Sequence, residues 1–487
     1  MYVLAFLVIS ILVINIGFMF IVIFAQRRNT AATWAWMVAV AILPIGGFVV
    51  YMIVGQDSRK QKVFLNKSDN DDELHRAYKK MNLGADEGDA TDDNQITMYH
   101  DAGAKFDALL DDIANAKEYV FVQYYIVRGD EIGRRFVRQL AKKAMDGVEV
   151  RLLVDGMGCA FTDKDTFQPL IDAGGKLGLF MPPVPVRINF RNHRKLAVID
   201  GKLAYIGGSN IGKEYLSMGE RFDNWRDTHM RLTGGAVSPI LLRFIMDWNF
   251  ASEEKLPVKS AYFRHKGEAG VPSTGFCQND TTGDHEGRLL EPAHVQLKDT
   301  AAPGLGSRVT ILSSGPDTRY PNVLHAFCQM IMGAKKSIYI QTPYFVPDDA
   351  LFTCIRIAAL SGVDVRIMYP GNPDHPFVYW ASSSYMGELM CAGVRGYEYA
   401  KGFIHCKTVM VDSKICAVGT ANMDVRSFKI NFETHAFIED EAIAKELETE
   451  FFKDVEDSRE LTLEVYNQRP RRVKIREAIS QLFSPLL

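Results

Sequence analysis

The sequence predicts an α/β protein in which two copies of one α/β/α unit meet at a pseudo-twofold active site, preceded by two transmembrane helices. Three observations carry this. Two apolar runs without a charge, 2–25 and 31–54, open the chain. A short pattern then occurs twice: His193-Arg194-Lys195 followed after four residues by Asp200, and His405-Cys406-Lys407 followed after four by Asp412. The segments ahead of the two patterns also match. Ala116-Lys117-Glu118-Tyr119-Val120-Phe121-Val122-Gln123 resembles Ala334-Lys335-Lys336-Ser337-Ile338-Tyr339-Ile340-Gln341, and Gly147-Val148-Glu149-Val150-Arg151 resembles Gly362-Val363-Asp364-Val365-Arg366.

Each apolar run is 24 residues long. At 1.5 Å per residue such a helix reaches about 36 Å, enough to cross a bilayer core with some tilt. The first run lacks a basic leader, is too long for a signal peptide, and is followed at once by a second. Gln26-Arg27-Arg28-Asn29-Thr30 makes the hairpin between them. Arg59, Lys60, Lys62 and Lys67 follow the second run, so the positive-inside rule favours a cytoplasmic catalytic body. The expected organisation is a membrane hairpin at 1–56, a polar, acidic tether at 57–94, a first α/β unit at 95–264, a linker at 265–307, and a second unit at 308–487. The basic tail from Arg471 either rests on the membrane or packs as an ordinary terminal helix.

In each unit the order is helix, apolar strand, helix, apolar strand, then the motif strand. Near-continuous apolar strands between helices mean a largely buried sheet. Composition agrees with a folded body plus membrane segments, at 47% hydrophobic and 24% charged. The net charge of −3 argues against a nucleic-acid binder that relies on bulk charge. Seven cysteines without CxxC spacing suggest neither a disulfide framework nor a zinc site.

Alternation along a strand puts the His and Lys of each motif on one face. Imidazole can attack a tetrahedral phosphorus, and a second imidazole can protonate the leaving alkoxide. One copy supplies one histidine and the reaction needs two, which gives duplication a chemical reason. Lys195, Lys407, Asn210 and Asn422 would surround the phosphoryl oxygens with donors and positive charge, with no metal or other cofactor required. The two asparagines close small-residue turns, Gly207-Gly208-Ser209-Asn210 and Gly419-Thr420-Ala421-Asn422, at equal distances past their motifs. Each imidazole needs an acceptor on its other nitrogen. Asp227 and Glu433, 34 and 28 residues past the motif histidines, are the candidates. Asp200 and Asp412 belong to the catalytic motif, but their place at strand ends suits holding the motif turns together. His229 and His375 stand out from the other histidines as open cases.

The duplicated His-x-Lys-x4-Asp motif resembles the phospholipase D superfamily. With the apolar hairpin, Asn192-His193-Arg194-Lys195, Trp225-Arg226-Asp227-Thr228, Gln341-Thr342-Pro343-Tyr344-Phe345 and Pro373-Asp374-His375-Pro376-Phe377, it is similar to the bacterial cardiolipin synthases within it. The resemblance implies duplicated phospholipase D-like domains in a multi-pass protein of the bacterial inner membrane. It implies phosphatidyl transfer from one phosphatidylglycerol to another, giving cardiolipin and glycerol, with His193 as nucleophile and His405 as general acid and base. The alternative within the superfamily is a membrane-anchored phospholipase D or phosphodiesterase that passes the phosphoryl group to water. The stretch at 265–307 is longer than the family pattern.

Overall fold

The computed structural model describes residues 2–25, 30–43, 45–54, 62–181, 189–264 and 306–482. The apolar runs form α1 (Tyr2–Ala25), α2 (Thr30–Ile42) and α3 (Gly46–Val54). Pro44, which has no N–H to donate, lies between α2 and α3. Phe18 of α1 stacks on Phe48 of α3, and Trp36 packs edge-on against Tyr51, so the three helices close on one another. α1 carries no charge over its 24 residues. Among the residues described in full, no helix is long and apolar enough to cross a membrane.

The first unit follows as α4 (Lys62–Lys80), β1 (Ala90–Tyr99), α5 (Ala102–Asn115), β2 (Tyr119–Tyr124), α6 (Glu131–Met145), β3 (Glu149–Asp155), α7 (Gln168–Asp172), β4 (Lys176–Phe180), β5 (Leu196–Ile199), β6 (Leu203–Gly207), β7 (Trp225–Arg226), β8 (His229–Thr233) and α8 (Val237–Ala251). The second comprises β9 (Ser307–Ser314), α9 (Asn322–Gly333), β10 (Ser337–Gln341), β11 (Phe345–Val346), α10 (Asp349–Leu360), β12 (Asp364–Pro370), α11 (Pro376–Cys391), β13 (Arg395–Tyr399), β14 (Phe403–Ile404), β15 (Thr408–Val411), β16 (Ile415–Gly419), β17 (Met423–Asp424), α12 (Val425–Lys429), β18 (Glu433–Glu439), α13 (Glu441–Glu456), β19 (Ser458–Leu461), α14 (Leu463–Asn467) and α15 (Arg471–Leu482).

The duplication is explicit in the sheet. Reading outward from the join, the first unit runs β1-β8-β6-β5-β2-β3-β4 and the second β9-β18-β16-β15-β10-β12-β13, with β19 added at the far edge. Residues 90–94 of β1 pair with β9, and residues 95–99 pair with β8, so one strand belongs to both halves. The inner faces share a single core. Ile206, Met230 and Leu232 of one half pack with Cys416, Val418, Ala436 and Ile438 of the other. The outer faces are covered separately, by α5 and α6 through Leu109, Phe136 and Leu140, and by α9 and α10 through Phe327, Ile331 and Ile355. The two units therefore fold onto each other rather than standing as separate bodies.

One boundary differs from the sequence reading. The stretch read as a tether at 57–94 is, from Lys62 onward, part of the body. Phe64, Lys67, Asp71, Leu74 and Tyr78 recur at helical spacing on α4 and turn inward. Two of those five are charged, which hides the stripe among the acids Asp69 to Glu73. The basic tail packs: Ser383 of α11 donates to Glu477 of α15 at 2.9 Å, and Ser384 to Gln481 at 2.8 Å. The expected linker lies outside the described residues over 265–305.

Candidate active site

The two motif histidines meet because each motif's lead-in runs beside a segment of the other half. The N–H of His193 donates to the carbonyl of Phe432 at 3.0 Å, and that of Phe432 to the carbonyl of Arg191 at 2.9 Å. At the equivalent place β14 pairs in parallel with β7, and the N–H of His405 donates to the carbonyl of Arg226 at 2.7 Å. The acid that follows each segment then faces the opposite histidine. His193 Nδ1 lies 2.9 and 3.1 Å from the two oxygens of Glu433, and His405 Nδ1 lies 2.7 Å from Asp227. The orienting acids are the two read from the sequence, but each serves the histidine of the other copy. With Nδ1–H donated to a carboxylate, Nε2 is left with its lone pair for the cavity. Both histidines line one cavity of about 940 Å³.

The turns around the acids break the symmetry. A Cβ on Gly208 would fall 2.0 Å from Asp227 Oδ1, so only glycine leaves room for that carboxylate. Its counterpart is Thr420, whose hydroxyl donates to Glu433 Oε2 at 2.5 Å. Lys195 and Lys407 are buried and each donates from Nζ to the carbonyl of its own motif histidine at 2.6 Å.

Asp200 and Asp412, which the sequence groups with the catalytic motif, do not line the cavity and so are not catalytic groups there. Asp200 accepts from the N–H groups of Lys117, Glu118 and Tyr119 at 2.8–3.0 Å, and Asp412 from those of Lys335, Lys336 and Ser337 at 2.6–2.9 Å. Each pins the motif strand to the repeated segment that starts β2 or β10. His229 is buried against Gly207, whose added Cβ would meet its Cα at 2.5 Å, and it takes no part in the cavity wall. His375 lies on the outer cavity wall and is exposed.

Burial pushes the His193 imidazole down to about 4; Glu433 opposes this and Lys195 reinforces it. Burial and Lys407 do the same to His405, also to about 4, against Asp227. Burial alone would raise Glu433 and Asp227, but their histidine partners outweigh it and hold both below their ordinary values. At neutral pH the site thus holds two ionised carboxylates and two neutral imidazoles. A bound anion between the histidines favours imidazolium, so it should draw in a proton. Titrating the protein with inorganic phosphate at pH 7 in buffers of different ionisation enthalpy is expected to show uptake of about one proton per site; no uptake would contradict this electrostatic reading.

Residues 109–222 and 327–455 match the family model described as cardiolipin synthase, PLD-like domain. Residues 13–56 match one described as phospholipase D-nuclease N-terminal. The chain is 40% identical to a cardiolipin synthase of Listeria welshimeri over 99% of both chains. The chain belongs to the cardiolipin synthase family. It is also 40% identical to the major cardiolipin synthase ClsA of Bacillus subtilis, over 98% of each chain. Among solved structures, a phosphatidylserine synthase of Haemophilus influenzae superposes with a TM-score of 0.57 at 17% identity, covering 85% of this chain and 100% of the other. That likeness concerns the fold.

In this synthase-family chain the two motif asparagines differ. Asn210 Oδ1 accepts from the N–H of Ile126 at 3.1 Å, which turns its amide N–H₂ away as a donor. Asn422 donates its N–H₂ to Asp424 at 3.2 Å, which leaves its carbonyl oxygen without a partner among the described residues. Both line the cavity, and the N–H₂ of Asn422 is taken up by Asp424. The cavity wall further includes Tyr125, Arg191, Trp225, Arg426 and Asn431, which sequence reasoning missed. Arg191 and Asn431 each stand two residues before a group that it did identify, His193 and Glu433. Among the described residues no cluster of His, Cys, Asp and Glu suits a metal ion.

Proposed function

We propose that this enzyme transfers a phosphatidyl group from one phosphatidylglycerol to the hydroxyl of another through a phosphohistidine, giving cardiolipin and glycerol. The observation that carries the reading is the pair of crossed histidine–carboxylate couples on one cavity wall, in a chain of this family. In the first half-reaction Nε2 of one histidine bonds to phosphorus, the bond from phosphorus to the glycerol oxygen breaks, and that oxygen takes its proton from the other imidazole. In the second, that imidazole takes the proton of an incoming hydroxyl, whose oxygen bonds to phosphorus as the phosphorus–nitrogen bond breaks. By the family likeness His193 attacks and His405 carries the proton. Asp227 and Glu433 hold the imidazoles in the required tautomer. Lys195, Lys407 and Asn210 supply positive charge and donors to the phosphoryl oxygens.

The 24 uncharged residues of α1 and the apolar run 31–54 support a two-span hairpin that tethers this site to its lipid substrate in a bacterial inner membrane. Arg59, Lys60 and Lys62 support a cytoplasmic body. Lys67, counted with them in the sequence, is ion-paired inside the body and adds nothing to the surface. Incubating the purified protein with phosphatidylglycerol vesicles and resolving the products tests the reaction. Cardiolipin and glycerol in equal amounts are expected. Phosphatidic acid without cardiolipin would replace this reading with the hydrolytic one.

A further inference from the structure

The helix α15 is turned the wrong way round for one packed on a protein body. At about 100° per residue, its side chains fall on two opposite faces. The inward face is polar. Glu477 and Ser480 are buried, Ser383 of α11 donates to Glu477 at 2.9 Å, Ser384 donates to Gln481 at 2.8 Å, and Arg469 pairs with Glu477 at 2.6 Å. The outward face is apolar. Ile475, Ile479 and Leu482, at i, i+4 and i+7, are 58%, 47% and 61% exposed, and Ala478 beside them is exposed too. A helix whose only partner is its own protein buries such a stripe and leaves the polar side to water. In α15 the stripe faces away from the body.

Cations flank it. Arg472 and Arg476 fall on one side of the stripe, Lys474 on the other, and Arg471 at its start. All four are exposed, and none forms an ion pair among the described residues. Lys474 donates to the carbonyl of Asn467 at 2.9 Å, and the Arg476 guanidinium lies 5.3 Å from the centre of the Trp380 ring; neither contact brings a negative charge. The one acid of the helix, Glu477, is on the buried side. An apolar stripe between unpaired cations complements an anionic bilayer, in which aliphatic side chains enter the headgroup layer and the cations meet phosphates. A second copy of the chain suits it less, because joining two such stripes sets like charges against each other.

The helix also has a mechanical link to the cavity. It lies along α11 through Trp380, Ser383 and Ser384, and the Tyr466 ring of α14 packs on Gly387, where a Cβ has no room. At the start of α11, His375 and Val378 line the cavity. We propose that α15 is an interfacial anchor: its outward face lies in the surface of an anionic bilayer, and through α11 it holds the cavity wall close to that surface. This rests on the lipid-substrate reading above. It adds that the catalytic body meets the membrane directly, and not only through the apolar hairpin.

The test follows one position on the full-length protein in lipid nanodiscs. Ile479→Cys is treated with an uncharged polyethylene-glycol maleimide. Modification at 479 is read by peptide mass spectrometry, relative to that of the exposed Cys391 in the same sample. Labelling at 479 is expected to be about tenfold slower in phosphatidylglycerol discs than in phosphatidylcholine discs, and about 0.5 M salt should remove part of the difference. Equal labelling in the two lipids would overturn the anchor. Protection in both lipids that grows with the number of protein copies per disc would also overturn it, and would give the stripe to a second copy. Arg471→Glu combined with Arg472→Glu is expected to restore labelling at 479 in phosphatidylglycerol discs. Without the cysteine, the same pair should raise KM for phosphatidylglycerol about tenfold with kcat kept, whereas Arg471→Lys with Arg472→Lys should leave KM as it was. A fall in kcat at unchanged KM would overturn the anchor in favour of a purely structural part for α15. Phosphatidic acid in place of cardiolipin would overturn the transfer reading and leave the labelling result standing.

Discussion

Replacing the attacking histidine by alanine is expected to lower turnover by about 10⁶-fold, and replacing the proton-transferring one by about 10²–10⁴-fold. Cardiolipin formation in phosphatidylglycerol vesicles measures both. The inequality is informative, because the two imidazoles have near-identical surroundings: each is held by one buried carboxylate and lowered to about 4 by burial. Only the variant that keeps its nucleophile can still form the covalent intermediate, so trapped phosphatidyl-enzyme should survive in His405→Ala and vanish in His193→Ala. A label carried on His405 in the unmodified protein would reverse the roles. The crossing of the acids makes a second, separable prediction. Glu433→Gln should alter the diethyl pyrocarbonate reactivity of His193 and not of His405, and Asp227→Asn should do the converse. Peptide mass spectrometry reads each site. Effects confined to the histidine of the same copy would contradict the hydrogen bonds at 2.9 and 2.7 Å.

That crossing shows where sequence reasoning ran out. The motif, its repetition and the two carboxylates are all local patterns, and they were legible. Which acid meets which histidine depends on contacts between residues 240 and 178 positions apart, and no spacing rule reaches that far. The same limit applied to Arg426 and Asn431, which are unremarkable until the fold sets them beside His193. The difference between Gly208 and Thr420 was visible as a mismatch in the repeat, but its meaning needed the position of the carboxylates. α4 failed for another reason. Its inward stripe is regular, but two of its five residues are charged, and a charge at a core position reads as solvent-facing unless its partners are known. Asp317, one of those partners, lies 250 positions further along the chain.

Those partners set the largest expected stability effect, at Asp247. The carboxylate of this α8 residue is fully buried between Arg194 at 2.5 Å and Lys67 at 3.4 Å, and it accepts from Gln123 at 2.8 Å. Asp247→Ala leaves the buried Arg194 without its ion-pair partner, while Lys67 keeps Asp71 and Asp317. Removing one partner of a buried pair costs about 3–5 kcal/mol, far more than an exposed pair is worth. Urea unfolding should show a loss of unfolding free energy of that size; a loss below about 1 kcal/mol would mean that water reaches the network. The pH dependence has a definite sign. Burial opposes ionisation of Asp247, but Arg194, Lys67 and Arg243 outweigh it and bring the carboxyl down to about 2. Its folded value is thus below the unfolded one near 4, so its contribution is complete above pH ~4 and is lost as pH falls through about 2. The variant should lack that part of the acid-unfolding transition. Activity should fall with stability, because Arg194 also donates to the carbonyl of Glu433 at 3.2 Å and to the hydroxyl of Thr434 at 2.9 Å. Through Arg194, the helix that follows the apolar runs is joined by Lys67 and Asp247 to the backbone of Glu433, whose carboxylate orients His193.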